Sequence, residues 1–181
     1  MDELKEQCIE KKGTVTEGYR FIYHGLPFFV KFMGDGLLVL WNTRHMSPKH
    51  LLNLVISLNA ICLNYPTKLL PQIKEVVVSP PPALRCGVAR GTVYSVGESA
   101  DFVGSCINMA ARIQKLPGIN FAFNRRGFDL DGDTNPMAAI KKTFSIRKVA
   151  IRGIGENELL ALRNVDLLSM SEVDKKFYRA L

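Results

Sequence analysis

The sequence predicts a single α+β domain in which helices pack on one face of a mostly antiparallel sheet. Three observations support this fold class. The length of 181 residues suits one domain with a substantial core. Hydrophobic residues make up 47% of the chain and charged residues 23%, a balance typical of globular proteins. Segments rich in aromatic and β-branched residues also alternate irregularly with segments of helical periodicity, a pattern that favours mixed α+β architecture.

The amino-terminal half predicts a helix, then strands, then a longer helix. Residues 2–12 have the character of a short helix, and residues 18–32 read as strands around a turn at Gly25 and Pro27. The run LLVLW at 37–41 predicts a buried strand. A long helix follows, with Ser47 as its N-cap and Pro48 at its first position.

The carboxy-terminal half predicts further strand and helix elements. ALRCGVARGTVYSVG predicts two strands joined tightly around Arg90–Gly91, and GSCINMAARIQKL predicts a helix. The predicted packing face of that helix consists of Ile107, Ala110, Ala111 and Leu116. INFAF predicts a short strand, TFSIRKVAIRG and ENELLALRNV a closing strand pair, and SEVDKKFYRAL a capped terminal helix.

The composition limits the classes of function. A net charge of +7 suits an anionic partner, although the basic residues are scattered in short pairs typical of a solvated surface. No apolar run is long enough to span a membrane and the charged amino terminus is unlike a signal peptide, so we expect a cytoplasmic protein. The four cysteines are far apart in the sequence, which favours reduced thiols over a disulfide framework or a zinc site.

One acidic segment, DLDGDTN at 129–135, has carboxylates at the first, third and fifth positions of a calcium loop. The sixth position of such a loop needs glycine and the twelfth needs glutamate, whereas this chain has Thr134 and Ile140 there. The segment is therefore interpreted as a turn.

Two short motifs contain the residues best suited to ligand binding or catalysis. The segment FFVKFMGDGLLVLW places Lys31 and Asp35 between apolar runs, which alone describes an ordinary hairpin turn. The segment DFVGSCINMAAR places Asn108 and Arg112 four residues apart, on one face of the predicted helix. An amide and a guanidinium at this spacing suit a ribose and a phosphate better than they suit simple packing.

Together these motifs resemble the class III adenylate/guanylate cyclase catalytic domain. The resemblance is carried by K-x-x-G-D from Lys31 to Asp35, by D-x-x-G-x-x-x-N-x-x-x-R from Asp101 to Arg112, and by R-x-G-x-x-x-G-x-V beginning at Arg85. It extends from about Phe28 to Leu162, which leaves residues 163–181 as a helical tail. The resemblance implies a ferredoxin-like βαββαβ core with extra carboxy-terminal strands and a head-to-tail homodimer with composite active sites.

The resemblance also implies a role for each matching residue. Lys31 corresponds to a residue that reads the base, in the active site other than the one that Asp35 serves, and Asp101 to its partner in base reading. Asn108 corresponds to the residue that positions the ribose. Arg112 corresponds to the group that binds the phosphate under attack. By position, Arg152 is the candidate anchor for the triphosphate, although an ordinary surface cation explains it equally well.

The remaining implications concern the metal and the substrate. Asp35 corresponds to one of two carboxylates that hold a pair of divalent cations, Mg²⁺ or Mn²⁺. Lys31 can donate to N1 of adenine and Asp101 can accept from N6, so ATP is the expected substrate and cyclic AMP the expected product. The guanylate cyclases of the family carry a Glu/Cys pair at these two positions.

One departure from the family pattern separates two interpretations. The family's other metal carboxylate lies in a first strand well before K-x-x-G-D, and no matching motif occurs among the thirty residues that precede Lys31. The chain is thus expected to be either a nucleotidyl cyclase or a cyclase-homology domain that dimerises or holds nucleotide without chemistry. A third interpretation, a nucleic-acid binder, is disfavoured because the chain has no aromatic-plus-basic signature of RNA binding.

Overall fold

A computed structural model describes residues 25–97, 101–130 and 135–181 of the chain. The predicted helix at 2–12 and the first part of the predicted strands at 18–32 lie outside these residues, as does the centre of the acidic turn. The described residues form an α+β fold with a mixed sheet of five strands, so the predicted α+β class is confirmed. No helix among them is long and apolar enough to cross a membrane.

The strands and helices follow one another irregularly along the chain. The strands are β1 (Phe29–Phe32), β2 (Leu37–Leu40), β3 (Cys86–Val88), β4 (Tyr94–Val96), β5 (Asp101–Val103), β6 (Phe121–Asn124), β7 (Phe144–Ile151), β8 (Gly155–Arg163) and β9 (Tyr178–Arg179). The helices are α1 (Pro48–Asn64), α2 (Leu70–Lys74), α3 (Ser105–Ile113), α4 (Asn135–Thr143), α5 (Asn164–Ser169) and α6 (Glu172–Lys175), and a π-helical turn (Tyr65–Leu69) joins α1 to α2.

The start of α1 is the one that the sequence predicts. Ser47 is the N-cap, its side-chain oxygen accepts a hydrogen bond from the backbone N–H of His50 at 3.3 Å, and Pro48 is the first helical residue. The capping oxygen satisfies one of the amide groups that a helix leaves unpaired in its first turn. Local chemistry was therefore sufficient to place this boundary.

The main sheet has the strand order β3–β6–β8–β7–β9. The β3–β6 pair is parallel and the other three pairs are antiparallel, in agreement with the predicted, mostly antiparallel sheet. The two predicted closing strands are present as β7 and β8. The predicted terminal helix is shorter than expected, because the chain leaves α6 and returns to the sheet edge as β9, paired with β7.

Helices cover both faces of the main sheet, so the prediction that they lie on one face is wrong. Phe121 and Phe123 of β6 belong to a cluster with α1 and α4, whereas Ala122 between them belongs to a cluster with α3. Successive strand residues point to opposite faces, so the two clusters lie on opposite sides of β6. The apolar run FAF at 121–123 carries this signal, because a strand buried on both faces lacks polar alternation.

Two short antiparallel ribbons stand apart from the main sheet: β1 with β2, and β4 with β5. The predicted hairpin around Arg90–Gly91 is thus wrong, because β3 joins the main sheet whereas β4 pairs with β5. Arg90 donates from Nε to Oγ1 of Thr43 at 3.1 Å and from Nη1 to the carbonyl of Gly127 at 2.7 Å. These two contacts tie the connection after β3 to the segments at Thr43 and Gly127.

The β1–β2 ribbon is also more exposed than its sequence suggests. The run at 37–41 was expected to be a buried strand, but Leu37 is exposed and its neighbours are half-buried. Among the described residues, this ribbon has no pairing with the main sheet that could cover its edges. The apolar character of the run therefore predicted a strand correctly and burial wrongly.

Candidate functional site

The two ribbons bring Lys31 and Asp101 into direct contact. Lys31 lies on β1 opposite Leu38, and Asp101 lies on β5 opposite Val96. The Nζ atom of Lys31 donates to both carboxylate oxygens of Asp101, at 2.8 Å each. The hydrogen bond from Lys31, together with its positive charge, lowers the pKa of Asp101 below its ordinary value. A cation and a carboxylate seventy residues apart in the sequence thus form one polar unit.

An aromatic cluster that the sequence reasoning missed fixes the two ribbons against each other. The ring of Phe102 meets the rings of Phe28 and Phe29 edge-on, with centroids 5.4 and 4.8 Å apart. Such edge-to-face contacts are the favoured geometry for aromatic pairs. Phe102 immediately follows Asp101, so strand alternation turns its ring to the face opposite the carboxylate. The sequence signal for this cluster was the position of Phe102 next to Asp101 in a short strand, where successive side chains point to opposite faces.

The polar face of α3 carries Asn108 and Arg112. Both side chains are exposed, whereas Met109 and Ile113 on the other side of the helix are buried. The predicted packing face is thus wrong in part, because Ala111 is exposed. The helix places the amide and the guanidinium one turn apart and free to meet a ligand from solvent, as the i, i+4 spacing predicts.

Glycines from the matched motifs allow α3 to lie close to the strands. A Cβ atom at Gly87 would lie 2.2 Å from the carbonyl oxygen of Ala110, and one at Gly104 would lie 2.6 Å from that of Thr92. Neither distance is compatible with a side chain, and in both cases the obstacle is backbone. These positions need glycine so that α3, with its polar face, can approach the strand segments.

Arg112 lies beside the turn that carries Arg152. The guanidinium Nη2 of Arg112 lies 3.7 Å from the place that a Cβ atom would occupy at Gly153. Gly153 has a φ of +74° in the turn between β7 and β8, and Arg152 precedes it with an exposed side chain. The exposed Arg112 guanidinium thus lies beside the turn that bears a second exposed arginine, and positive charge suits a phosphate group.

Asp35 lies at the tip of the β1–β2 ribbon. The backbone N–H of Met33 donates to the carbonyl of Gly36 at 2.8 Å, and Gly34 adopts a φ of +81°. The Asp35 side chain is exposed. A carboxylate is the donor type that Mg²⁺ prefers, but the described residues contain no group of three or more metal-binding side chains.

The predicted site residues form two groups, and Asp35 belongs to neither of them. The hydrogen bonds and ion pairs of the described residues join Lys31 to Asp101 and no other pair of predicted site residues. Arg112 approaches the Arg152 turn, Asn108 shares the face of α3 with Arg112, and Asp35 stands alone at its ribbon tip. The arrangement offers donors and acceptors for a polar ring at one place and cations for phosphates at another.

Comparison with protein-family models, curated proteins and solved structures finds no match to this chain. The resemblance to the cyclases therefore depends on the motif residues and on the geometry in which they meet.

Proposed function

We propose that this chain binds ATP and acts as a nucleotidyl cyclase, forming 3′,5′-cyclic AMP and releasing pyrophosphate. The observation that carries the proposal is the contact between Lys31 and Asp101. These residues come from two distant motifs that resemble the same family, and the fold brings them to one place. A chance match between two short motifs gives no reason for their key side chains to touch.

The Lys31–Asp101 pair suits adenine because it offers a donor beside an acceptor. Nζ of Lys31 has three protons and donates two hydrogen bonds to Asp101 in the free protein, while the carboxylate has further lone pairs. Both side chains are almost half exposed, at 43% and 47%, so an incoming base can share the pair without removing a buried interaction. Adenine N1 would accept from Lys31, and the N6 amino group would donate to Asp101.

The second group of residues suits the ribose and the phosphates. Asn108 can orient a ribose hydroxyl through its amide, and Arg112 can bind the α-phosphate one helical turn away. In the transition state of 3′-hydroxyl attack, negative charge grows on the non-bridging oxygens, so a guanidinium aimed at them stabilises that state more than the ground state. Arg152, in the neighbouring turn, would hold the remaining phosphates.

Mg²⁺ or Mn²⁺ would enter with the nucleotide, and Asp35 is the chain's proposed ligand for it. When bound, such an ion would activate the attacking hydroxyl and neutralise charge on the phosphates. Because Asp35 is a single exposed carboxylate, its own contribution is to hold and orient a metal–nucleotide complex.

A ferredoxin-like core and a head-to-tail homodimer complete the proposal. Large apolar side chains are exposed on both ribbons, and a concentration of such residues marks an interaction surface. They are Phe28, Val30, Phe32, Met33, Leu37, Tyr94, Val96 and Val103. A second copy docked on this surface would place its groups near the Lys31–Asp101 pair. An ATP-dependent activity of this kind also fits the expected cytoplasmic location.

The test measures ATP binding and cyclic AMP formation separately, with Mn²⁺ present. Arg112→Ala is expected to lower turnover by about 10²–10³-fold, the loss typical of removing one transition-state donor, while ATP binding weakens much less. Lys115→Ala is the matched control, because it removes one positive charge from an exposed side chain immediately after α3. If Arg112→Ala and Lys115→Ala behave alike, Arg112 does not act on the reacting phosphate.

A second candidate function is a cyclase-homology domain that binds ATP without chemistry. It is favoured by one observation, that Asp35 is the single match to the two metal carboxylates of the family. The same assay separates the two candidates, because ATP binding without any cyclic AMP supports the second. Absence of ATP binding contradicts both candidates. Both are also contradicted if the Lys31→Glu/Asp101→Cys double variant keeps the wild-type preference for ATP over GTP.

A further inference from the structure

A cleft that includes none of the residues proposed above opens where β6 ends beside the first half of β8. Its volume is about 440 Å³, which is large enough for a small metabolite. Among its lining residues are two arginines, two asparagines, a glutamate and a phenylalanine: Arg125, Arg126, Asn124, Asn157, Glu158 and Phe128. The cleft therefore combines positive charge, hydrogen-bonding groups and one aromatic ring.

The turn that carries Arg126 is held by backbone contacts. The N–H of Phe128 donates to the carbonyl of Arg125 at 3.1 Å, and Gly127 between them has a φ of +83°. The carbonyl of Gly127 in turn accepts from Arg90 at 2.7 Å. These contacts fix the backbone from which the exposed Arg126 side chain extends. A guanidinium on a fixed turn loses less freedom on binding a ligand than one on a free loop.

The floor of the cleft is a buried amide whose oxygen and nitrogen both form hydrogen bonds. Asn124 is 3% exposed, its Oδ1 accepts from the N–H of Arg126 at 2.6 Å, and its Nδ2 donates to Oε2 of Glu158 at 3.1 Å. The amide thereby orients both the turn and the glutamate. One oxygen of Glu158 is occupied by Asn124, whereas the partly exposed carboxylate still has lone pairs to accept from a ligand.

From this geometry we propose that the cleft is a binding site for a phosphate monoester of a small sugar. Arg126 binds the phosphate through its planar fork, for which phosphate is the preferred anion. Glu158 accepts a hydrogen bond from a sugar hydroxyl, and the Phe128 ring borders the apolar side of the ligand. The requirement for both an anion and a hydroxyl distinguishes this ligand from a simple phosphate ion. The site lies beyond the proposed cyclase function and does not depend on it.

Titration with ribose 5-phosphate, followed by calorimetry and by amide NMR shifts, tests the proposal. We expect binding with shifts at residues 124–128 and 157–159. Arg126→Ala should weaken it by about tenfold or more, because a charge-assisted hydrogen bond is lost. Arg126→Lys should have an intermediate affinity, since it keeps the charge and loses the fork. The matched control is Arg44→Ala, an exposed arginine outside the cleft, which should bind like the wild type.

Inorganic phosphate and ribose separate the two halves of the site. Inorganic phosphate should bind more weakly than ribose 5-phosphate, and ribose alone should not bind measurably. Glu158→Gln should weaken ribose 5-phosphate while inorganic phosphate is unaffected. The proposal is overturned if ribose 5-phosphate shows no binding at millimolar concentrations, or if the NMR shifts lie outside the cleft. It is also overturned if a folded Arg126→Ala protein binds ribose 5-phosphate as tightly as Arg44→Ala does.

Discussion

Two ion pairs of this protein have similar geometry and opposite surroundings. Arg163 and Asp166 meet at 2.6 Å and are 3% and 5% exposed, at the end of β8 and the start of α5. Lys31 and Asp101 meet at 2.8 Å and are 43% and 47% exposed, on the two ribbons. The first pair is enclosed by the main sheet and its helices, whereas the second is open to water.

The surroundings determine what each pair can do. Oδ2 of Asp166 also accepts from the backbone N–H groups of Asn120 and Phe121, at 3.0 and 3.4 Å, so this carboxylate stabilises the entry into β6. A buried charge with several partners is costly to disturb, because its removal leaves the others unpaired. The exposed pair has no comparable role in the fold. Its polar atoms remain accessible to solvent, which is why the proposed ligand-binding role falls to this pair and not to the buried one.

The largest expected effect comes from breaking the buried pair. Asp166→Ala should lower the free energy of unfolding by about 3–5 kcal/mol, because Arg163 and two backbone amides lose their acceptor. Urea denaturation would measure it. Glu172→Ala breaks the more exposed pair with Lys175 and provides the control, with an expected loss below about 1 kcal/mol. Equal losses in the two variants would show that burial does not distinguish these pairs.

The sequence predicted local elements well because local chemistry decides them. Ser47 and Pro48 fixed the start of α1, and the spacing of Asn108 and Arg112 fixed their shared face. Prediction from the sequence failed where contacts between distant parts of the chain decide how the strands pair. Nothing near Arg90 indicates that its side chain reaches Thr43 and Gly127, so β3 and β4 were wrongly joined. Two neighbouring strands in a sequence usually pair, and here tertiary contacts override that tendency.

A smaller effect is expected where α3 meets β3. Gly87→Ala should cost about 1–3 kcal/mol, because the added methyl group meets the backbone of α3 and overpacks the contact. Gly36→Ala on the β1–β2 ribbon is the control, since a Cβ atom there would have nothing within 4 Å. Thermal unfolding of the two variants would compare the main sheet with the ribbon. A Gly87→Ala protein as stable as Gly36→Ala would mean that α3 can move away from β3 freely.

Within the candidate site, the sequence predicted one contact and missed others. The motifs named Lys31 and Asp101 as partners, and the structure brings them together. The role of Phe102 was missed because its two partner rings lie about seventy residues earlier in the chain. The cleft at Arg126 gave no sequence signal either, since its residues come from separate strands that meet only in the folded sheet.

The smallest expected effect on the fold comes from titrating the exposed pair. The pKa of Asp101 lies below its ordinary value because Lys31 donates to the carboxylate and places a positive charge beside it. The ionised form is thus favoured in the folded protein, so any stabilisation is fully present above the ordinary pKa. It is lost as the pH falls through the lowered pKa. Because both groups are exposed, the stability should change little over this interval.

Carboxyl NMR titration of Asp101 would measure the shift directly. Lys31→Met should raise the pKa of Asp101 towards its ordinary value, and high salt should reduce the shift in the wild type by screening the exposed charges. Lys49→Met, which removes another exposed lysine, should leave the titration of Asp101 unchanged. If Asp101 titrates at its ordinary value at low salt, the pair does not persist in solution. Adenine would then have no preassembled donor and acceptor to meet, and the proposed function would lose the observation that supports it most.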